Sequence, residues 1–168
     1  MIARLAVLLW MAAAPAFAAT LEVGEGRTYA LPSQAAAVAK DGDTVRIAAG
    51  TYRDCAAWRA NDLTIEGVGA DMTEITEKTC QGKGLFITYG NNITIRGITF
   101  SGARVADFNG AGIRAEGGDL TLERVRFVEN QDGILSNPSP AAHIVIRDSE
   151  FLRNGTCEGA GGSSHGVY

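Results

Sequence analysis

The chain has 168 residues, 21 of them glycine, with 15 Lys and Arg against 19 Asp and Glu for a formal net charge of −4. That length suits one domain, and an acidic chain without a basic run excludes a nucleic-acid partner, whose phosphates demand clustered Lys and Arg. The glycine content with few helix-length apolar patterns points to an all-β, turn-dense protein.

The first segment reads as a signal peptide. Arg4 precedes an apolar run over residues 5–14, and Ala16-Phe17-Ala18 supplies a small-x-small cleavage pattern. The run is too short to cross a bilayer as a helix, which needs about 20 residues. Residues 1–19 are thus assigned to the signal and 20–168 to the folded domain, secreted or periplasmic, with no membrane span after cleavage. Losing Arg4, the one charge in that segment, moves the net charge from −4 to −5.

Next comes a helical stretch over residues 34–40, ended by Gly42, which reads as a capping helix over the first coil. Cys55 and Cys80 lie 25 residues apart, about one repeat, and export permits a disulfide between them. Such a bridge typically adds about 3 kcal/mol. Cys157 is then the odd cysteine.

From residue 61 onward the chain repeats. Asn61-Asp62-Leu63-Thr64-Ile65-Glu66 aligns with Asn92-Ile93-Thr94-Ile95-Arg96, Asp119-Leu120-Thr121-Leu122-Glu123 and His143-Ile144-Val145-Ile146-Arg147. Periods of 20–50 residues mark a stacked, quasi-one-dimensional fold. Each copy continues through a corner into a second short strand (Ile98-Thr99-Phe100, Val125-Arg126-Phe127, Ser149-Glu150-Phe151). A third strand recurs at Gly84, Gly112, Gly133 and Gly166. Three short strands per lap, each alternating with period 2, give a parallel β-helix of about five to six coils spaced by about 4.8 Å. The register predicts inward files Leu63/Ile93/Leu120/Ile144, Ile65/Ile95/Leu122/Ile146 and Phe100/Phe127/Phe151. It predicts outward ladders Thr64/Thr94/Thr121/Val145 and Glu66/Arg96/Glu123/Arg147, the latter alternating in sign. The chain stops at Tyr168 inside a strand, so the sequence is read as an open-ended, C-terminally incomplete β-helix; when complete it is expected to be a monomer.

The segment from Ala35 to Tyr52 (AAAVAKDGDTVRIAAGTY), with the Asn-Ile-Thr-Ile and Gly-Ile repeats after it, resembles the right-handed parallel β-helix superfamily of pectate-lyase-like proteins. The resemblance covers nearly all of the mature chain. It implies an exported protein of a superfamily that often cleaves, epimerises or binds acidic polysaccharides. Polygalacturonase-like hydrolases carry Asn-Thr-Asp, Asp-Asp, Gly-His-Gly and Arg-Ile-Lys motifs; this chain offers only Ser164-His165-Gly166. If the protein is an enzyme, a lyase or epimerase fits better than a hydrolase.

Corner length locates the candidate site. Eleven residues separate Phe100 from Gly112, five separate Phe127 from Gly133, and fourteen separate Phe151 from Gly166. Two long loops flanking a short one predict a groove, and function concentrates on loops held by a rigid scaffold. Candidate binding residues are Asp107 and Asn109 on one wall and Glu129 with Gln131 on the floor, with Glu116 and Asn137 on the flanking strand. Asp132, His165 and Arg114 are the candidate catalytic groups, since carboxylates beside His or Arg suit acid–base work. A calcium ion bridging a carboxylate to an acidic sugar is the one cofactor this chemistry accommodates, and no resident metal is expected. Structural roles compete: Asn130 and Asn154 as an asparagine ladder, Glu129 paired with Arg153, Asp132 as a turn residue, Arg114 and Glu116 as a solvated pair. The leading expectation is a polysaccharide-associated β-helix protein. The alternatives are a non-catalytic binding or structural repeat protein, or a periplasmic accessory of a metalloenzyme.

Overall fold

The computed structural model describes residues 17–137, 141–155 and 166–167. The first lap runs through β1 (Thr20–Val23), α1 (Pro32–Ala36), β2 (Thr44–Ile47), β3 (Gly50–Tyr52) and β4 (Ala56–Trp58). The second holds β5 (Thr64–Gly67), β6 (Thr73–Thr76) and β7 (Gly84–Thr88). The third holds β8 (Ile93–Arg96), β9 (Thr99–Ser101) and β10 (Ala111–Ala115), and the fourth β11 (Leu120–Glu123), β12 (Arg126–Val128) and β13 (Asp132–Ser136). A last lap begins with β14 (Ile144–Arg147) and β15 (Glu150–Leu152). Every pairing between these strands is parallel. They form three sheets, ordered β1-β2-β5-β8-β11-β14, β3-β6-β9-β12-β15 and β4-β7-β10-β13.

The predicted ladders hold and extend. Thr64, Thr94, Thr121 and Val145 are register partners, and Thr20 and Thr44 continue that file toward the N-terminus. The charge file runs Glu22, Arg46, Glu66, Arg96, Glu123, Arg147. Inside, Leu63, Ile65, Ile95, Leu122, Phe100 and Phe127 are fully buried. An aromatic column threads the laps as Trp58, Phe86, Phe100, Phe127 and Phe151, with neighbouring ring centroids 4.8–5.7 Å apart. Offset and edge-on ring contacts of this kind add about 0.5–1.5 kcal/mol beyond burial.

Corners turn on left-handed residues. Asp62 and Asn92 open the first sheet with φ of 52° and 55°; Gly97, Arg124 and Asp148 precede the second; Gly102, Glu129 and Arg153 follow it. Arg124, Glu129 and Arg153 were not legible as turn residues, because for a charged side chain this backbone conformation carries an energetic cost that only the stacked neighbours enforce.

Two expectations need correction. The helix is shorter than residues 34–40: it starts at Pro32, whose missing N–H suits a first-turn position, and ends at Ala36. Asp43 accepts the Lys40 N–H at 2.9 Å and draws the chain into a turn at Gly42, φ 82°. The third-sheet glycines also slip. Gly112 aligns with Gly133, but Gly84 pairs with Ala111, one position earlier. A Cβ on Gly112 would sit 2.7 Å from the Phe127 ring, and one on Gly133 equally close to Phe151; the aromatic column therefore fixes those two glycines to one level.

Cys55 and Cys80 form the expected disulfide.

Candidate functional site

The outer face of the β4-β7-β10-β13 sheet gathers the chemistry. Register continues one residue past the strands, since Tyr89 N–H donates to Trp58 O, Glu116 N–H to Thr88 O and Asn137 N–H to Ala115 O. Arg59, Tyr89, Glu116 and Asn137 thus occupy successive coils of one file. The Arg59 guanidinium lies 4.5 Å from the Tyr89 ring centroid, and the Tyr89 hydroxyl donates to Gln81 Oε1 at 2.8 Å.

Glu116 sits at the centre. Its side chain is 8% exposed, and Lys83 Nζ reaches its Oε1 at 2.6 Å from the coil below. Arg114 Nε donates to the same oxygen at 3.0 Å. Asn137 closes the cluster, its amide donating to Glu116 Oε2 and its oxygen accepting from Arg114 at 3.2 Å. Burial pushes the Glu116 carboxyl up, but Lys83 and Arg114 together outweigh it and hold the group below its ordinary value. Beside Asn137 opens a cleft of about 230 Å³ lined by Ala115, Gly117, Gly118, Ser136, Ala142 and Ile144. The face therefore presents Arg59, Lys83 and Arg114 against one carboxylate, on a protein that is acidic as a whole.

A family model described as a right handed beta helix region matches residues 34–168. The chain belongs to the right-handed β-helix family. Among solved structures, this β-helix protein is similar to the pectin methylesterase from Aspergillus niger, with a TM-score of 0.55 and 12% identity over 84% of this chain and 58% of that one. Pectin methylesterase PemA from Erwinia chrysanthemi gives 0.52 and 12% over 83% and 56%. A pectin methylesterase variant in complex with a hexasaccharide gives 0.51 and 13% over 90% and 60%. Such low identity shows shared architecture alone, and the β-helix protein spans less than two thirds of each of these chains. Among curated proteins, none matches its sequence.

The residues singled out from sequence separate into three groups. Arg114, Glu116 and Asn137 are brought together, joined by Lys83, Tyr89, Arg59 and Gln81, which the sequence did not reveal. Asp107 and Asn109 stand exposed on the corner loop, while Glu129 is exposed and paired with Arg153 at 2.9 Å. Asp132 is buried, and its register partner Ala111 stands three residues before Arg114, about 10 Å along the strand. His165 and Cys157, with most of the signal segment, lie outside the described residues.

The expected groove is closed at its floor. Gln131 Oε1 accepts the Val105 and Gly110 N–H groups, each at 2.8 Å, and its Nε2 donates to Val105 O at 3.1 Å. Residues 102–110 thereby fold down over Gln131, itself 4% exposed. A loop of that length must satisfy its own backbone donors, and one buried amide side chain serves two of them. Asn130 and Asn154 form the ladder read from sequence, with Asn130 Nδ2 donating to Asn154 Oδ1 at 3.0 Å.

The sheet led by β1 is a poorer candidate, because its charge file alternates in sign and its three acids balance its three cations. Glu66 accepts from Arg46 at 2.8 Å and from Arg96 at 2.5 Å, which holds its carboxyl below the ordinary value despite partial burial. A carboxylate with a depressed folded-state pKa stabilises the fold above the unfolded value of about 4.3, and that contribution disappears as pH falls through the lower folded value. The thermal midpoint should accordingly stay level from neutral pH to about pH 5 and fall below about pH 4. Glu66→Gln should flatten that acid limb, which a series of melts at stepped pH will show.

Proposed function

We propose that this β-helix protein is exported and holds an acidic polysaccharide against the outer face of the β4-β7-β10-β13 sheet. The observation that carries the reading is the convergence of Arg59, Lys83 and Arg114 around Tyr89, Gln81 and Asn137 on one rigid face. Guanidinium and ammonium groups recognise carboxylates, the amides offer both donors and acceptors to hydroxyls, and an aromatic ring supplies apolar contact with a polar tip. Coils about 4.8 Å apart repeat at roughly the length of one pyranose, so a glycan laid along the axis meets a fresh set of side chains on each lap. The pectin methylesterases of like architecture carry pectin in their names, which fits this substrate class. A disulfide favours an oxidising compartment, and no helix among the described residues is long and apolar enough to cross a membrane. Glu116 is neutralised by two cations, an arrangement suited to shaping a binding face more than to abstracting a proton.

Calorimetric titration with polygalacturonate, alginate and a neutral glucan tests the proposal. The uronate polymers should bind in a salt-sensitive way and the glucan should not. A partly exposed cation contributes on the order of 1 kcal/mol, so Lys83→Gln with Arg114→Gln, about 2 kcal/mol together, should weaken binding about thirtyfold. The bound polymer should be retained without turnover, leaving the ultraviolet absorbance of unsaturated ends flat. Equal affinity for the uronates and the neutral glucan would remove the basis of the proposal.

A further inference from the structure

We infer that the Cys55–Cys80 disulfide is a redox-sensitive clamp on this face, holding Lys83 and Gln81 in place so that its reduction weakens ligand binding while the stacked coils stay folded. The inference rests on the binding role proposed above for that face.

The segment joining β6 to β7, residues 77–83, carries Gln81 and Lys83, and Cys80 stands between them and the preceding strand, in neither strand itself. No residue of the segment belongs to the hydrophobic core. Glu77, Lys78, Gln81 and Gly82 are exposed, and Glu77, Gln81 and Gly82 adopt left-handed backbone, φ 62°, 54° and 61°. Its other anchors are weak. Arg53 with Glu77 and Lys78 with Asp54 are ion pairs at 3.3 Å, each with at least one largely exposed partner. The turn closes on itself through Cys80 N–H to Gly84 O and Lys83 N–H to Cys80 O, and it touches the next coil at its two ends, where Glu77 N–H donates to Ser101 O and Lys83 O accepts from Ala111. The disulfide is the covalent tie that fixes this turn to the start of β4, on the coil that also carries Arg59. From it the two functional contacts extend, Gln81 to the Tyr89 hydroxyl and Lys83 to Glu116.

Cys55 is nearly buried, but Cys80 is half-buried and sits on the exposed turn, so an external dithiol has a route to the bond. Attack of its thiolate on one sulfur displaces the other, and the second thiol of the reagent resolves the mixed disulfide. Two electrons and two protons leave Cys55 and Cys80 as thiols, and the reagent closes to its own disulfide. The files of Ile65, Ile95, Leu122 and the aromatic column lie on other segments and keep their burial, which separates loss of the clamp from loss of the fold.

Two measurements decide the matter, made on the full chain in oxidised and reduced form and on Cys55→Ala/Cys80→Ala. The first follows Glu116 by carboxyl-carbon NMR across acid pH. Lys83, from the turn, and Arg114, from β10, are the cations against that group; on reduction its titration should move upward toward the curve of Lys83→Gln, and identical curves for both redox forms would overturn the inference. The second is polygalacturonate affinity, expected to fall about fivefold on reduction in the wild type and not at all in the Lys83→Gln/Gln81→Ala background, the non-additivity expected of one shared cause. A full additional loss in that background would also overturn the inference. So would collapse of the cooperative melt on reduction, since the bridge would then be holding the fold. If the oxidised protein binds no uronate, the binding reading fails, and the Glu116 titration alone still decides the clamp.

Discussion

Phe127→Ala should lower stability by about 4 kcal/mol and the thermal midpoint by roughly 10 °C. The ring is fully buried between Phe100, at 5.7 Å, and Phe151, at 4.8 Å, stacked nearly parallel to both. Removing it costs the transfer free energy of the ring together with a cavity that rigid coils cannot collapse. It also breaks two aromatic contacts in a column that spans the described laps. Gly112 lies against this ring, so an added Cβ at 112 would not fill the void cleanly, as it also meets Gly133 O at 2.9 Å. Leu152→Ala is the internal control: that side chain, next to Phe151 on β15, is 41% exposed, and its loss should stay within about 0.5 kcal/mol. Differential scanning calorimetry of the pair checks both values. Equal small shifts would mean that the column is not the packed interior.

Asn130→Ala should cost about 3 kcal/mol for a different reason. Asn130 is fully buried, its Oδ1 accepting the Ala103 N–H at 2.9 Å and its Nδ2 donating to Phe100 O at 2.9 Å. Truncation strands two backbone groups away from water, and each buried unsatisfied group costs about 1–3 kcal/mol. The contact repeats one coil up, where Asn154 Nδ2 donates to Phe127 O at 2.8 Å. On these two laps the asparagine thus serves as the acceptor and donor that the corner backbone lacks. Asn130→Asp should fare no better, because a carboxylate cannot donate to Phe100 O. Chemical denaturation measures the loss, and hydrogen exchange at the Ala103 amide should quicken with it. A cost below about 1 kcal/mol would show that the corner backbone finds other partners.

Much of this architecture was legible because an inward file tolerates only apolar residues. The recurrence at 65, 95, 122 and 146 survived changes in lap length, and so did the sign alternation from Glu66 to Arg147. The files also reach back through Val45 and Leu21, which no visible repeat marks. In the first lap the chain is diverted through α1, and the periodicity is lost. The Gly84 slip has a similar origin: in the earlier coil Leu85 stands level with Gly112, so glycine alone was a misleading marker of register.

The site was half legible. Arg114 and Glu116 share a face at period 2, and Asn137 follows from the strand above. Lys83 was not, because its partner lies 33 residues away and its position depends on a turn that has no counterpart among the described residues of the other laps. Tyr89 and Arg59 stand one residue beyond their strands, where hydrophobic alternation no longer reports orientation. Gln131 shows the reverse failure. Its position beneath a long corner predicted an open floor, whereas the unsatisfied N–H groups of residues 102–110 made the same amide the natural place for the loop to close.

Where an acidic glycan touches the molecule is the decisive point. Titrating a uronate oligosaccharide into isotopically labelled protein and following backbone and side-chain NMR shifts maps that contact directly. The largest changes should fall at Arg59, Gln81, Lys83, Tyr89, Arg114 and Asn137, with the Arg46, Glu66, Arg96 and Glu123 file unmoved. Shifts confined to that charge file, or to Asp107 and Asn109 on the corner loop, would contradict it.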